Sequence, residues 1–351
     1  MTENDYLKAA IVGGSGYTGG ELLRILLNHP LVEVVAVTSR GNEGRSVTKL
    51  HPNLRDKTNL SFVHPDDLAN EVEDLDLLFT ALPHRKSMEL MGSYLNISKK
   101  IVDLSGDFRL SSVEDYAKWY GKKHVDPELN EKFVYGLPEL HREQIAGADY
   151  ISSPGCTATA AIIPLYPLVS ELADDIKRVI VDSKVGSSAG GVKVNPGSHH
   201  PERHGVVRSY KPFGHRHLAE MQQELGIDVS FSPHGVEMVR GIMSTIHVFF
   251  DNSPNTSKVW RVYRQYYADE PFIRFVKARK GIYRYPEPKL LNGTNMIEIG
   301  FELDQRGNRL VIMAAIDNLV KGAAGQAVQA ANISFGISET AGLDRTSLHP
   351  I

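Results

Sequence analysis

Over the first 150 positions, short apolar runs alternate with stretches of helical periodicity. Residues 8–12, 32–38, 75–81 and 101–104 are strand-like runs, and 19–28 and 87–94 repeat apolar side chains at helical spacing. Strands alternating with helices in this way predict a parallel, doubly wound sheet. Near residue 156 the pattern changes. Residues 157–165 are apolar on every side, as in a buried helix. Residues 179–185, 228–231, 241–250, 296–302 and 309–315 then alternate like strands of a larger, mostly antiparallel sheet, with a helix at 260–267. A helix of small residues, 318–332, is expected to return to the first domain. The prediction is an α/β protein. A Rossmann-type N-terminal domain spans 1–152 and 319–351, and an α+β domain with the large sheet spans 153–318. Such a sheet can carry a substrate site on one side and a homo-oligomer contact on the other.

Composition adds bounds. The 351 residues carry a net charge of −3, which gives no global sign of nucleic-acid or membrane binding. The single cysteine excludes an intrachain disulfide and suits a reducing, cytoplasmic setting. The first residues are acidic, without the apolar core of a signal peptide. No stretch reads as the roughly 20 apolar residues of a membrane span.

Between the first strand and first helix stands Gly13-Gly-Ser-Gly-Tyr-Thr-Gly19, matching G-x-G-x-x-G from Gly14. Strand, glycine loop and helix occur in the order a dinucleotide pyrophosphate needs. Glycines at Gly14 and Gly16 let the phosphates approach, and the helix N-terminus faces them. Ser15 and Thr18 can add hydroxyl donors. The second strand ends in Ser39 and Arg40 where an NAD site usually places a carboxylate. That pair suits a 2′-phosphate and favours NADP.

Cys156 follows a Pro-Gly turn and opens the apolar helix. Free N–H groups and the helix dipole there favour thiolate and can hold an oxyanion beside it. The alternative is a small core residue.

Seven of the fourteen histidines fall between His199 and His247, and the segment 195–217 holds Arg203, Arg208, Lys211 and Arg216 against Glu202 alone. Rich in Gly and Pro, it reads as an ordered basic loop suited to an anionic substrate or an acidic partner protein. His215, His217 and His234 are candidate acid/base groups for the thiol, with Glu220 placed to orient His217. The histidines lack a Cys or His-Glu-x-x-His frame, so no metal is expected. Arg109 lies just past the fourth strand, at the carboxyl edge of the sheet, where it can hold a phosphate or carboxylate or pair with Asp107.

These residues resemble the N-acetyl-gamma-glutamyl-phosphate reductase family end to end: Gly-Ser-Gly-Tyr-Thr-Gly at 14–19, Leu-Ser-Gly-Asp-Phe-Arg at 104–109, Pro-Gly-Cys at 154–156, Gly-His-Arg-His at 214–217 and Asp-Asn-Leu-Val-Lys-Gly at 317–322. Gly-Ser-His-His-Pro-Glu-Arg at 197–203 is similar to archaeal members that act on substrates tethered to an acidic amino-group carrier protein. The resemblance implies NADPH-dependent reduction of carrier-bound γ-glutamyl or 2-aminoadipyl phosphate in arginine or lysine biosynthesis. It implies Cys156 as nucleophile and His217 as acid/base. Gly14, Ser15, Gly16, Tyr17, Thr18, Ser39, Arg40 and Asn318 would bind NADP, and Arg109, Arg203 and His215 would contact substrate. The competing readings are the free acetylated substrate, an aspartate-semialdehyde dehydrogenase, and an NADP-sensing protein without catalysis.

Overall fold

The computed structural model describes residues 6–351, which form two compact units. The first comprises the residues up to Pro154 together with Ala323–Asp344, and the second Gly155–Gly322 with Arg345–Ile351.

The first unit is built on strands β1 (Leu7–Val12), β2 (Val32–Thr38), β3 (Leu75–Thr80), β4 (Ser98–Asp103), β5 (Val134–Tyr135) and β6 (Tyr150–Ser152). They form one parallel sheet in the order β2-β1-β3-β4-β6-β5. Ala9, Ala10, Ile11 and Val12 are wholly buried, which is why β1 reads as an unbroken apolar run. The order reverses between β1 and β3, and an open α/β sheet binds ligands outside the strand ends at such a switch. The helix after β1 is Tyr17–Leu26, beginning two residues before the predicted start. The C-terminal helix Gly325–Ser334 belongs to this unit, and Asn332 Oδ1 lies 3.1 Å from His29 Nε2. A π-helical turn, Val320–Ala324, replaces the first part of the single helix expected from residue 318.

The second unit holds β7 (Ile176–Val185), β8 (Val207–Ser209), β9 (Val229–Val236), β10 (Ile242–Phe250), β11 (Ile273–Phe275), β12 (Ile297–Asp304) and β13 (Arg309–Ile316). Their order is β11-β12-β13-β10-β7-β9-β8. The pairs β8/β9, β7/β10, β10/β13 and β12/β13 are antiparallel, while β7/β9 and β11/β12 are parallel. β10 alternates without a break, with Ile242, Ser244, Ile246, Val248 and Phe250 buried and the residues between them half-exposed. The final residues, predicted to follow the first domain, lie with this unit, where Ser347 Oγ donates to the Leu290 carbonyl at 2.6 Å.

The helix Cys156–Leu172 is the core of the second unit, and by length and composition the helical stretch Cys156–Asp175 is apolar enough to cross a membrane. This corrects the expectation that no such stretch exists. In the fold most of it is buried under the sheet and two other helices. Pro164 and Pro167 lie inside it. Pro167 has no N–H to donate to the Ile163 carbonyl one turn back. Tyr267 hydroxyl donates to that carbonyl at 2.6 Å, and Tyr263 hydroxyl donates to the Pro164 carbonyl at 2.8 Å. Both tyrosines sit one turn apart on Thr256–Tyr267, so that helix repairs the break.

Candidate active site

The glycine loop closes directly onto the end of β1. Gly13 has a φ of +85°, and a Cβ there would stand 2.6 Å from the Ala81 carbonyl oxygen. A Cβ on Gly14 would meet Val37 at 2.1 Å, and one on Gly19 would meet Gly14 at 2.6 Å, so helix and strands pack closer than any side chain permits. At Gly16 nothing lies within 4 Å. Gly16 caps the Tyr17–Leu26 helix, no side chain bonds that cap, and no acidic residue lies in its first turn. The N-terminus is electropositive and open, so the residues present fit a dinucleotide pyrophosphate. Tyr17 is exposed beside it. Past β2, Asn42 Nδ2 donates to Ser39 Oγ at 3.0 Å, and Arg45 Nη1 donates to Asn42 Oδ1 at 3.0 Å. Arg40 and Arg45 are both exposed on this turn. Arg45 escapes a motif search because only the turn brings it back beside Ser39.

In the second unit Cys156 is the first residue of its helix, half-buried, with Gly155 as cap. The cap N–H donates to Glu220 Oε2 at 2.8 Å, and Glu220 is fully buried. His217 Nδ1 lies 2.5 Å from Thr157 Oγ1, in the first turn of the same helix. A Cβ on Gly155 would stand 2.5 Å from His217 Nε2 and 2.8 Å from Glu220 Oε1. The glycine is thus required for histidine and carboxylate to reach the helix N-terminus together. On the other side, a Cβ on Gly322 would stand 2.6 Å from Cys156 Cβ.

The three histidines left open by the sequence separate cleanly. His217 touches the cysteine helix. His215 caps the Arg216–Leu225 helix, its Nδ1 accepting the His217 N–H at 3.2 Å, with its ring 5.1 Å from that of Phe231. Burial, then the positive charges of Arg216 and Lys211, push its pKa down to about 4, so it is neutral near pH 7. His234 faces the opposite side of the sheet, where its Nδ1 lies 3.1 Å from Asp182. Strand alternation alone removes it from the cysteine.

Tyr210 went unremarked in the sequence. Burial, then the charge of Cys156, push its phenol up to about 12, and its ring is 5.9 Å from that of His215. No motif marks it, since β8 and β9 must pair before its ring comes beside that of His215.

Three residues expected to contact ligands also bond within the protein. Arg109 is buried, with Nε donating to the Ser153 carbonyl at 2.7 Å and Nη2 to the Leu104 carbonyl at 3.0 Å. It braces the turn ahead of Cys156, whereas Asp107 accepts from the backbone N–H groups of Arg85 and Met88 and from Tyr116 hydroxyl. Asn318 is buried, with Oδ1 accepting the Gly241 N–H at 2.7 Å and Nδ2 donating to Ser188 Oγ at 3.0 Å, so its amide knits two loops of the second unit. Arg203 Nη2 donates to the Val236 carbonyl, and the guanidinium lies where a Cβ on Gly235 would be, 2.9 Å from Nη1. Among the described residues, no group of three or more His, Cys, Asp or Glu is placed to hold a metal ion.

Residues 8–148 match the family model described as semialdehyde dehydrogenase, NAD binding domain, and residues 156–318 match semialdehyde dehydrogenase, dimerisation domain. The fold agrees with aspartate semialdehyde dehydrogenase II of Vibrio cholerae, at a TM-score of 0.71 and 16% identity over 94% of this chain and 98% of that one. An aspartate semialdehyde dehydrogenase with NADP from Candida albicans gives 0.65 and 17% over 93% and 98%. The class is therefore an NAD(P)-dependent oxidoreductase of semialdehyde dehydrogenase type. Much nearer in sequence is a Haloarcula marismortui protein provisionally named LysW-L-2-aminoadipate/LysW-L-glutamate phosphate reductase, 51% identical over 98% of each chain. A Thermomicrobium roseum protein provisionally named LysW-L-2-aminoadipate 6-phosphate reductase is also 51% identical, over 98% of this chain and 99% of that one. The chain belongs to this family of phosphate reductases within the semialdehyde dehydrogenases.

Proposed function

We propose that the protein reduces a γ-glutamyl or 2-aminoadipyl phosphate, carried on an acidic amino-group carrier protein, to the semialdehyde with NADPH. The observation that carries the chemistry is the Cys156 helix N-terminus with His217 and Glu220 packed against its glycine cap. The Cys156 thiolate attacks the acyl carbon, the bond from that carbon to phosphate oxygen breaks, and a thioester forms as phosphate leaves. When bound, NADPH supplies hydride to the thioester carbon. The helix N-terminus steadies the oxyanion of the resulting hemithioacetal. The carbon–sulfur bond then breaks, the aldehyde leaves and the sulfur departs as thiolate; His217 takes the Cys156 proton ahead of the attack and returns it here.

NADP rather than NAD is supported by Ser39, Arg40 and Arg45 on one turn, with no carboxylate at the end of β2. A protein-borne substrate is supported by the relatives' names and by the second unit's basic loop. That loop presents exposed Val194, Val207 and Phe213 among Lys193, Arg208 and Lys211. The half-exposed face of the large sheet, opposite its helices, supports a homo-oligomer. We place the reaction in the cytoplasm, where a lone thiol stays reduced.

The test is an aldehyde-forming assay with carrier-bound glutamyl and aminoadipyl phosphates, free N-acetylglutamyl phosphate and aspartyl phosphate, each with NADPH and NADH. Preference for a carrier-bound substrate and NADPH is expected. Turnover of only the acetylated or the aspartyl substrate overturns the proposal. Arg40→Ala should raise the NADPH KM about ten-fold and leave NADH unaffected, as loss of one charged phosphate contact requires.

A further inference from the structure

The glycine loop is gripped by a histidine far from it in sequence. After β2 the chain makes an excursion from Ser39 to Val63 and returns to the strand it left, with Val63 N–H donating to the Val37 carbonyl at 3.0 Å and Ser39 N–H to the Val63 carbonyl at 3.1 Å. His51 stands on this excursion, after the short helix Val47–Leu50. Its Nε2 lies 2.8 Å from the Gly14 carbonyl oxygen. That oxygen only accepts, so Nε2 carries the proton and donates.

The seat for the ring is made by another glycine. A Cβ on Gly20 would stand 2.5 Å from His51 Cε1 and 2.6 Å from Nδ1. The ring also meets Phe62 edge-on, with centroids 6.4 Å apart, and Phe62 itself flanks Gly14. The excursion is well anchored: Val47 is wholly buried, and its N–H donates to the Leu60 carbonyl at 2.9 Å. At the other end of Gly14, its own N–H donates to the Thr38 carbonyl at 2.9 Å.

This grip has a geometric consequence. The Gly14 carbonyl and the Ser15 N–H share one planar trans peptide, so they point in opposite directions. By holding the carbonyl, His51 fixes the direction of the Ser15 N–H, the donor that leads into the open space at Gly16. We infer that His51 is a positioning residue for the dinucleotide phosphates, acting through the Gly14–Ser15 peptide plane without touching the ligand. The inference rests on the reading of this loop as the cofactor site.

Fluorescence titration of NADPH, with steady-state kinetics, separates the two ideas. His51→Phe keeps a ring but removes the donor, and should raise the NADPH Kd and KM about ten-fold, as loss of one hydrogen bond in a preorganised loop predicts. At saturating NADPH, kcat should stay within about two-fold and the acyl-substrate KM should not move. His51→Gln restores a donor and should recover most of the affinity. Gly20→Ala, which pushes the ring out of its seat, should behave like His51→Phe. An unchanged Kd in His51→Phe, or no recovery in His51→Gln, overturns the role of His51. Gly16→Val tests the loop itself, because a side chain there meets open space in the protein and only obstructs a ligand. If Gly16→Val binds NADPH normally, the cofactor-loop reading fails and the inference with it. If Gly16→Val loses binding while His51→Phe keeps it, only the inference fails.

Discussion

The two units use one local device, a strand, a glycine-capped turn and a helix N-terminus, in opposite ways. At Gly16 the helix end is bare, with no side-chain cap, no acidic residue in the first turn and no atom where a side chain would stand. At Gly155 the same kind of end is crowded, with a buried carboxylate on the cap N–H and an imidazole against the glycine. An open N-terminus is free to take a foreign anion. A filled one orders a carboxylate and an imidazole around the helix end that carries Cys156. The difference comes from what the neighbouring elements bring to the cap, since the helix dipole is the same in both.

Cys156→Ser makes the sharpest separation. Turnover should fall by more than about a thousand-fold, because an alcohol at this site is a far weaker nucleophile, while NADPH binding in the first unit stays as it was. Near-wild-type turnover in an aldehyde-forming assay would remove the cysteine from the chemistry. Gly155→Ala attacks the crowding directly. The added methyl must displace His217 or Glu220, and kcat should drop about a hundred-fold, the usual cost of misplacing a catalytic group by an ångström. Gly16→Ala, by contrast, should leave the melting temperature unchanged; equal destabilisation by both alanines would erase the distinction between open and filled ends.

A smaller effect concerns His215. Its folded pKa, about 4, lies below the ordinary histidine value of 6.5, so the unfolded chain binds the proton first. The stability it contributes is whole above about pH 6.5 and is lost as the pH falls toward 4. His215→Asn keeps an acceptor for the His217 N–H and removes the titration. Urea denaturation from pH 7 to pH 4 should then show a shallower loss than wild type, and an identical slope would refute the assignment. Tyr267→Phe should have the smallest effect. Leaving the Ile163 carbonyl without its donor should cost about 1–2 kcal/mol in thermal or urea unfolding, with kcat untouched.

The parallel sheet was legible because strands buried on both faces must be apolar throughout, as at Ala9–Val12, and because glycines at helix–strand contacts admit no substitute. Cys156 was legible from the Pro-Gly turn ahead of it, and the alternation in β10 showed one covered face. Other assignments needed the fold. Arg109 and Asn318 occupy motif positions that invite a ligand role, and only the fold shows the bonds each makes within the protein. A motif records that a polar group matters without recording what it bonds. The helix at Cys156 has the hydropathy of a membrane span, and only its place under a sheet shows that protein covers it.

By itself the sequence determined the periodicities, the glycine positions that forbid a Cβ, and the one available thiol, because each depends on residues close together along the chain. The tertiary structure decided which histidine packs against the cysteine helix, that Tyr210 comes beside His215, that Arg45 turns back beside Ser39, and that His51 holds the Gly14 carbonyl. Those choices depend on strand pairing and on side chains converging from positions 6 to 65 residues apart, as with Arg45 and Ser39 or Glu220 and Gly155. Local pattern carries no record of such distances; packing sets them.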